Sequence, residues 1–179
     1  MKTTSQDILD ALREQGCAAR TTTHEAVFTV AQSRAIKEAI PGGHTKNLFL
    51  KDKKGRLFLV TAEAEARVDL KRLHETIGAS GRLSFGSAEL LRETLGVEPG
   101  SVTPLALVND EQGRVSFVLD SRLAEGEIIN VHPLVNTMMT SLAVSDLVAF
   151  LADSGHETRV LALPEPAVET GETREPIPS

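Results

Sequence analysis

Residues 47–60, NLFLKDKKGRLFLV, decide the fold class of this chain. Two short apolar runs flank a charged segment that contains Asp52 and Gly55. Apolar runs on either side of a turn with glycine predict a β-hairpin. The preceding residues 41–46, PGGHTK, predict a turn that leads into the first strand through polar side chains.

Amphipathic segments on both sides of this hairpin predict helices. In residues 69–78, for example, Leu70 and Ile77 fall on one face, and a glycine is placed to end the helix. Ser87 and Ser145 are candidate N-terminal caps of two later helices. The predicted helices cover residues 3–16, 31–40, 69–78, 87–96 and 144–155.

Runs rich in apolar and β-branched residues predict the remaining strands. Single strands are predicted over residues 25–30, 81–86, 126–133 and 157–163, and a second hairpin over residues 105–120. Because the strands come in hairpins and the helices are interspersed irregularly, the pattern predicts an α+β fold. We expect a mixed, largely antiparallel β-sheet or partial barrel flanked by helices.

The chain of 179 residues is long enough for one domain that needs no disulfide. Residues 1–163 are the predicted domain. Residues 164–179, PEPAVETGETREPIPS, contain four of the eight prolines and show no periodicity. Such a composition cannot bury a core, so we expect a disordered tail there.

Charge and hydropathy limit the classes of partner that this chain is expected to bind. The tail holds four Glu and one Arg, so half of the net charge of −6 lies there and the domain is only mildly acidic. This balance argues against a dedicated nucleic-acid binder, although it permits a local basic patch. The N-terminus lacks a signal peptide, and no run approaches the ~18 apolar residues of a membrane span. We therefore expect a cytoplasmic protein with no membrane partner.

Cysteine and histidine usage gives no sign of a metal site. Cys17 is the single cysteine, which excludes an intrachain disulfide and a cysteine-based zinc cluster. The histidines are His24, His44, His74, His132 and His156. Their spacing matches no metal-binding pattern, so we expect neither a metal nor a cofactor. Common catalytic motifs are also missing from the sequence.

Three polar segments lie among apolar ones and form the candidate site. They are residues 44–47 (HTKN) with Lys46 and Asn47, residues 130–136 (NVHPLVN) around His132, and residues 100–104 (GSVTP). Buried polar groups need partners or a function, and a loop rich in N–H groups can bind a carbonyl or phosphate. Simpler interpretations remain open: Lys46 as an edge charge, Asn47 as a turn cap and His132 as a core histidine. The 100–104 loop could likewise be only a connector.

Longer stretches around these residues resemble the YbaK/prolyl-tRNA synthetase-associated editing family. They are residues 42–60, 81–110 and 130–140, and the resemblance extends from the first helix to about residue 165. More narrowly, they are similar to its free-standing alanine-editing members, of the ProXp-ala or PrdX type. The resemblance implies a trans-editing deacylase that hydrolyses Ala-tRNA(Pro). Such editing is needed because one methylene changes binding by only ~1–3 kcal/mol, so a proline pocket admits smaller amino acids.

The resemblance also implies which residues form the site. The essential lysine of the family matches Lys46, its neighbouring asparagine matches Asn47 and its histidine matches His132. Its Gly-x-x-x-Pro loop matches Gly100, Ser101, Val102, Thr103 and Pro104.

Each matched group receives an expected role. Lys46 would hold a phosphate or the ribose of the terminal adenosine, and Asn47 would orient the α-amino group or the ester carbonyl. Amides of the 100–104 loop would stabilise the oxyanion. His132 would shape the alanine pocket, and a ribose hydroxyl of the substrate would help to activate water. The pair Met138–Met139 departs from the small polar residues that are common in relatives.

Two alternative functions remain at this point. The first is a Cys-tRNA(Pro) deacylase of the same fold. The second is a non-catalytic module that binds tRNA or another nucleic acid through the basic residues of segment 51–56. The weak net charge suggests that tRNA selection is borrowed from a partner, either prolyl-tRNA synthetase or an elongation factor.

Overall fold

The computed structural model describes residues 3–26 and 29–167, and its elements confirm the predicted α+β class. The helices are α1 (Ser5–Glu14), α2 (Val30–Ala39), α3 (Leu73–Ile77), α4 (Ala88–Leu95), α5 (Ser121–Ala124) and α6 (Val144–Asp153), and two 3₁₀ helices span Pro99–Ser101 and Pro104–Asn109. The strands are β1 (Arg20–Thr23), β2 (Gly43–Lys51), β3 (Leu57–Glu63), β4 (Ser84–Phe85), β5 (Val115–Asp120), β6 (Ile128–Val131), β7 (Met138–Ala143) and β8 (Thr158–Leu161).

The strands form one mixed sheet in the order β1-β7-β6-β2-β3-β5-β8, and β4 pairs separately with β2. β2 is antiparallel to β3 along residues 45–51. On its other edge, β6 pairs only at Gly43 and His44, and β4 only at Leu50 and Lys51. The edge of β2 opposite β3 is therefore unpaired in its middle, where the predicted site residues lie.

Two apolar clusters cover the two faces of this sheet. The larger one contains Phe49 of β2 together with side chains from α1, α4 and α6. The smaller one contains Leu50 and the buried residues of α3. Because side chains alternate along a strand, Asn47 shares the face of Phe49 and Lys46 shares the face of Leu50. The two neighbouring polar residues thus point to opposite sides of the sheet.

The first hairpin is confirmed, but the predicted second hairpin is wrong. Residues Pro104–Asn109 form a 3₁₀ helix that begins at the Thr103 cap, and Leu105 to Leu107 are all buried without alternation. A proline that follows a capping residue favours a helical turn over a strand. The second strand of the predicted hairpin is confirmed as β5, but it pairs with β3, in parallel orientation.

The predicted strand over residues 25–30 is also wrong where it can be compared. Glu25 and Ala26 have no regular structure, residues 27 and 28 lie outside the described part, and Thr29 caps α2. The strand in this region is Arg20–Thr23, which pairs with β7. β1 was not predicted, because an RTTT edge strand carries no apolar run. β7 was not predicted either.

Most helix predictions are confirmed, with local corrections. Ser87 caps α4 by accepting a hydrogen bond from Leu90 N–H at 3.0 Å, as expected. Ser145 is not a cap, since α6 starts one residue earlier and Ala143 occupies the cap position. Leu70 precedes the shortened α3 and is 40% exposed, so the prediction that it shares one helix face with the buried Ile77 is wrong. Within the described ranges, no helix is both long and apolar enough to cross a membrane.

The start of the predicted tail contacts the domain. Asp69 N–H donates a hydrogen bond to Pro164 O at 2.7 Å. The Arg72 guanidinium donates to Glu165 O at 2.8 Å. Residues 168–179 lie outside the described part, so the expected disorder and the domain boundary stay predictions.

Candidate active site

Asn47 anchors the 100–104 loop to the sheet. Thr61, its fully buried partner on β3, donates a hydrogen bond to Asn47 Oδ1 at 2.5 Å. Asn47 Nδ2 in turn donates to Val102 O at 2.9 Å. The asparagine lies inside β2 rather than at a junction of loop and strand, because β2 begins at Gly43.

The 100–104 loop lies between Asn47 and the 130–136 segment. A Cβ placed on Gly100 would lie 3.4 Å from Asn136 Nδ2, which shows how closely the two segments approach. Ser101 N–H already donates a hydrogen bond to Glu98 O at 2.8 Å. Pro104 and Thr103 are buried, so the end of the loop is fixed by packing.

Lys46 lies on the opposite face, beside the turn that follows β3. Its Nζ donates a hydrogen bond to Ala66 O. Glu65 in the same turn forms an ion pair with Lys37 of α2 at 3.0 Å. The hydrogen bond and charge of Lys37 lower the pKa of Glu65, with smaller contributions from Arg34 and Lys46. Lys46 therefore belongs to a mainly basic group at the α2 face of the molecule.

His132 lines a cavity of about 210 Å³ between α2 and the sheet. The lining residues are His24, Ser33, Ile36, Lys37, His44, Thr45, His132 and Met139. The His132 ring lies 6.3 Å from the His24 ring, centroid to centroid. Burial lowers the pKa of His132, the hydrogen bond with Met138 O opposes this shift, and His24 adds to it. His132 is therefore neutral at pH 7.

The structure brings the predicted residues together in two groups rather than one. His132 shares the cavity with His44 and Thr45, which directly precede Lys46 in β2. Asn47 is hydrogen-bonded to the 100–104 loop, and no residue of that loop lines the cavity. Lys46 belongs to neither group by direct contact: its ammonium is bonded to Ala66 O, and the adjacent Glu65 pairs with Lys37 of the cavity wall.

Three further site residues were given no role from the sequence, although His44 lies in the polar segment 44–47. His24 and His44 line the cavity, but they come from distant segments and have no recognisable spacing. Thr61 is the partner of Asn47. A hydroxyl inside the otherwise apolar run 57–62 was the available signal for Thr61, because such a buried group needs a partner.

A larger cavity of about 360 Å³ lies elsewhere, between α4 and residues 109–114. Its walls include Glu93, Asp110 and Glu111, and the predicted site residues do not line it. Three carboxylates against one guanidinium, that of Arg114, give this cavity a net negative lining, which disfavours an anionic substrate. Among residues 3–26 and 29–167, no group of three or more His, Cys, Asp or Glu side chains is arranged to hold a metal ion.

Comparisons with known proteins agree with this architecture. The family model described as "Aminoacyl-tRNA editing domain" matches residues 24–150. Prolyl-tRNA synthetase associated domain-containing protein 1 of Bos taurus is 39% identical over 142 residues, covering 77% of this chain and 82% of the relative. Prolyl-tRNA editing protein ProX of Acetoanaerobium sticklandii is 33% identical over 141 residues, covering 78% and 85%.

The fold has solved counterparts as well. One structure, described as a trans-editing enzyme for prolyl-tRNA synthetase, superposes with a TM-score of 0.66 at 18% identity, covering 92% of this chain and 99% of the other. At that identity, the likeness supports the fold alone. The sequence matches carry the classification, and they confirm the expected enzyme class, an aminoacyl-tRNA deacylase. The chain belongs to the aminoacyl-tRNA editing domain family.

Proposed function

We propose that this protein hydrolyses alanine from mischarged Ala-tRNA(Pro), acting in trans. The observation that carries the proposal is the cavity of about 210 Å³ lined by His132 and by Thr45, which lies two residues before Asn47, the anchor of the 100–104 loop, in β2. Pockets for drug-sized ligands usually measure ~300–1,000 Å³, so this cavity suits a small aminoacyl group. Relatives named for prolyl-tRNA synthetase and for prolyl-tRNA editing support the choice of tRNA.

The proposed chemistry is ester hydrolysis without a protein nucleophile. Water attacks the ester carbonyl, and loop amides stabilise the oxyanion that develops, an effect worth ~3–4 kcal/mol per donor. Gly100 and Val102 are the candidate donors, because Ser101 N–H is already bonded to Glu98 O and Thr103 is fully buried. A ribose hydroxyl of the substrate assists the water, since the described lining residues of the cavity include no carboxylate.

Asn47 and Lys46 take different parts in this proposal. Asn47 positions the loop, because its amide joins Thr61 and Val102. Lys46 binds a phosphate or the ribose of the terminal adenosine by exchanging its bond with Ala66 O for one to the substrate. His132 and Met139 form walls of the amino-acid cavity.

A deacylation panel tests the proposal. Ala-, Cys-, Ser- and Pro-tRNA(Pro) are incubated separately with the purified protein, and the release of each amino acid is followed over time. We expect rapid release of alanine and little release of proline. Rapid release of cysteine with intact Ala-tRNA(Pro) would assign the alternative substrate instead.

Selection of the tRNA remains part of the proposal. Prolyl-tRNA synthetase or an elongation factor would hold the tRNA that this weakly charged protein edits. The alternative of a non-catalytic binding module relies on the basic segment 51–56, yet Arg56 there is engaged by Asp52, with Nε to Oδ2 at 3.0 Å. A simple binder would lose affinity steeply with salt and show no turnover on any tRNA in the panel.

A further inference from the structure

Asn130 is a fully buried polar residue of β6 that does not line the amino-acid cavity. Its Nδ2 donates hydrogen bonds to Pro41 O and Gly43 O, each at 3.1 Å. Its Oδ1 accepts a hydrogen bond from Ser141 Oγ of β7. One side chain therefore joins its own strand to β7 and to the turn between α2 and β2.

The backbone of Asn130 adds two further contacts to the same region. Thr45 Oγ1 donates a hydrogen bond to Asn130 O at 2.9 Å. Asn130 also pairs with His44, at one of the two positions where β2 and β6 meet. Because this ladder is so short, the side-chain bonds from Asn130 to the turn supply much of the link between the two strands.

The turn that Asn130 holds is packed tightly against β6. Gly42 has a φ of +106°, and a Cβ placed there would lie 2.7 Å from Ile128 Cγ2 and 3.0 Å from Asn130 Nδ2. Both the backbone conformation and the close approach therefore favour glycine at this position. The amide of Asn130 thus sets where the turn lies on the strand.

The position of α2 depends on this turn, because the helix lacks a buried face. None of the side chains of residues 31–39 is buried, whereas Ile40, the C-cap of the helix, is 8% exposed. A surface ion pair between Lys37 and Glu65 holds the helix only weakly. Helices in proteins are normally stabilised by packing of an apolar face. The connection that follows α2 must therefore do much of the positioning.

The walls of the amino-acid cavity are close in sequence to Asn130 and to the groups that it bonds. The lining residues that lie within two positions of Asn130 or of one of its partners are His44, Thr45, His132 and Met139. Three more, Ser33, Ile36 and Lys37, belong to α2. The contacts of Asn130 thus act on both sides of the cavity, on the sheet directly and on the helix through the turn.

We propose that Asn130 is a positioning residue that sets the width of the amino-acid cavity, and so determines how large an aminoacyl group the protein deacylates. This inference rests on the proposed function. Asn130 does not touch the substrate: it acts through the turn at residues 41–43 and through β7. Loss of its bonds to the turn should let α2 move away from the sheet, so that larger side chains enter.

Selection by size requires walls that keep their distance. One methylene changes the rate by only ~10–200-fold in a well-formed pocket, and a wall that yields reduces this factor further. A buried amide that is bonded at both ends suits this task, because each displaced partner would be left unsatisfied. The proposal therefore predicts an effect on the choice of substrate that exceeds any general effect on stability.

The substitution Asn130→Asp tests the inference with little change in shape. A carboxylate can still accept the bond from Ser141, but it cannot donate to Pro41 O or Gly43 O. Deacylation is measured with alanyl-tRNA(Pro) and with 2-aminobutyryl-tRNA(Pro), whose side chain is larger by one methylene. The readout is the ratio of the two kcat/KM values. Both esters carry the same ammonium, so the added charge affects both alike and cancels in the ratio.

The wild-type protein should prefer the alanyl ester by at least about tenfold. Asn130→Asp should reduce this preference by at least about threefold, because the larger side chain is then tolerated better. A folded Asn130→Asp protein that keeps the full preference contradicts the inference. A wild-type protein that shows no preference contradicts it as well, since the cavity then does not select by size.

Asn109→Asp is the matched control. Asn109 Nδ2 donates to Leu95 O at 2.8 Å, so the same substitution removes the same kind of bond, to a backbone carbonyl, away from the amino-acid cavity. This variant should melt at a lower temperature and keep the wild-type preference. An equal loss of preference in both variants would show a general effect of destabilisation and would overturn the inference.

Failure of the inference and failure of the proposed function give different results. If the wild-type protein releases no alanine from Ala-tRNA(Pro), the proposed function fails and the inference falls with it. If alanine is released but Asn130→Asp keeps its preference, only the positioning inference fails.

A second variant keeps the test decisive should Asn130→Asp not fold, as judged by its thermal melting curve. Ser141→Ala removes one bond of the same side chain and leaves those to the turn. It should reduce the alanine preference by at least about twofold. An unchanged preference in Ser141→Ala would then contradict the inference.

Discussion

Asn47 is the residue on which the arrangement of the site depends most. Its amide is held by Thr61 from the sheet and holds Val102 of the loop. Both bonds lie in a partly buried setting, where losing a partner leaves the remaining group unsatisfied. The family resemblance expects this asparagine to contact the substrate, whereas its contacts support a positioning role.

Replacing Asn47 by Asp tests that role. The carboxylate would face Val102 O, which it cannot bond, so we expect a loss of about 1–3 kcal/mol in the free energy of unfolding. The kcat of deacylation should fall by a larger factor than KM changes, because the loop donors move. Urea denaturation and steady-state kinetics measure the two effects. The Thr61→Val variant keeps the bond to Val102, and equal kinetic defects in both variants would argue against loop positioning.

At the scale of the elements, the β2–β3 hairpin is closed by a buried carboxylate. Asp52 accepts hydrogen bonds from the backbone of Lys54, Arg56 and Ser80. Burial alone would raise the pKa of Asp52, but these bonds and the Arg56 side chain outweigh it and lower the pKa to about 2. The turn is therefore stabilised by the ionised carboxylate.

This shift predicts how stability depends on pH. A lowered pKa in the folded state gives stabilisation that is complete above the unfolded value of about 4 and is lost as pH falls toward 2. Asp52→Asn should therefore melt at a lower temperature than wild type at pH 7. The gap should narrow between about pH 4 and pH 2. A gap that stays constant over this range would show that the charge of Asp52 does not stabilise the turn.

The short strand β4 depends on a glycine that follows it. Gly86 N–H donates to Phe49 O at 2.9 Å, and a Cβ on Gly86 would lie 2.5 Å from the Phe49 ring. Phe49 is 4% exposed and belongs to the larger apolar cluster, so it has little room to move. Gly86→Ala should lower stability by about 1–3 kcal/mol, seen as a lower melting temperature.

Gly126→Ala is the matched control for this substitution. Its new Cβ would lie 3.6 Å from Leu123 O, which is an ordinary contact. We expect its melting temperature to stay close to that of wild type. Equal destabilisation by both substitutions would rule out overpacking against Phe49 as the cause.

Local signals explain why some elements were predictable and others were not. The β2–β3 hairpin and the cap at Ser87 depend on adjacent residues, so sequence patterns reveal them. The strand prediction for the segment from Pro104 was wrong, because a continuous apolar run fits a buried strand and a buried 3₁₀ helix equally well. The parallel pairing of β3 with β5 is a long-range feature that no local pattern encodes.

The residues of the candidate site also divide into those with a local sequence signal and those that only the fold brings together. Lys46 and Asn47 stood out as polar residues beside an apolar run, and family resemblance gave them roles. The side chains of Lys46 and Asn47 point to opposite faces of the sheet, because side chains alternate along β2, which begins at Gly43. His24 and His44 could not be grouped with His132, because the cavity that joins them is built from α2, β2 and the ends of distant strands.

At the scale of the whole molecule, the sheet is open where the chemistry is expected. β6 and β4 pair with opposite ends of β2 and leave the middle of its outer edge unpaired. The histidine cavity and the 100–104 loop flank this part of the strand.

The most direct measurement is the release of amino acid from Ala-tRNA(Pro) and Pro-tRNA(Pro) by the wild-type protein and by Lys46→Ala. We predict fast loss of alanine with wild type, near-intact Pro-tRNA(Pro), and loss of most alanine release in Lys46→Ala while its melting temperature changes little. Ala-tRNA(Pro) that stays charged after long incubation with the folded wild-type protein would contradict the account.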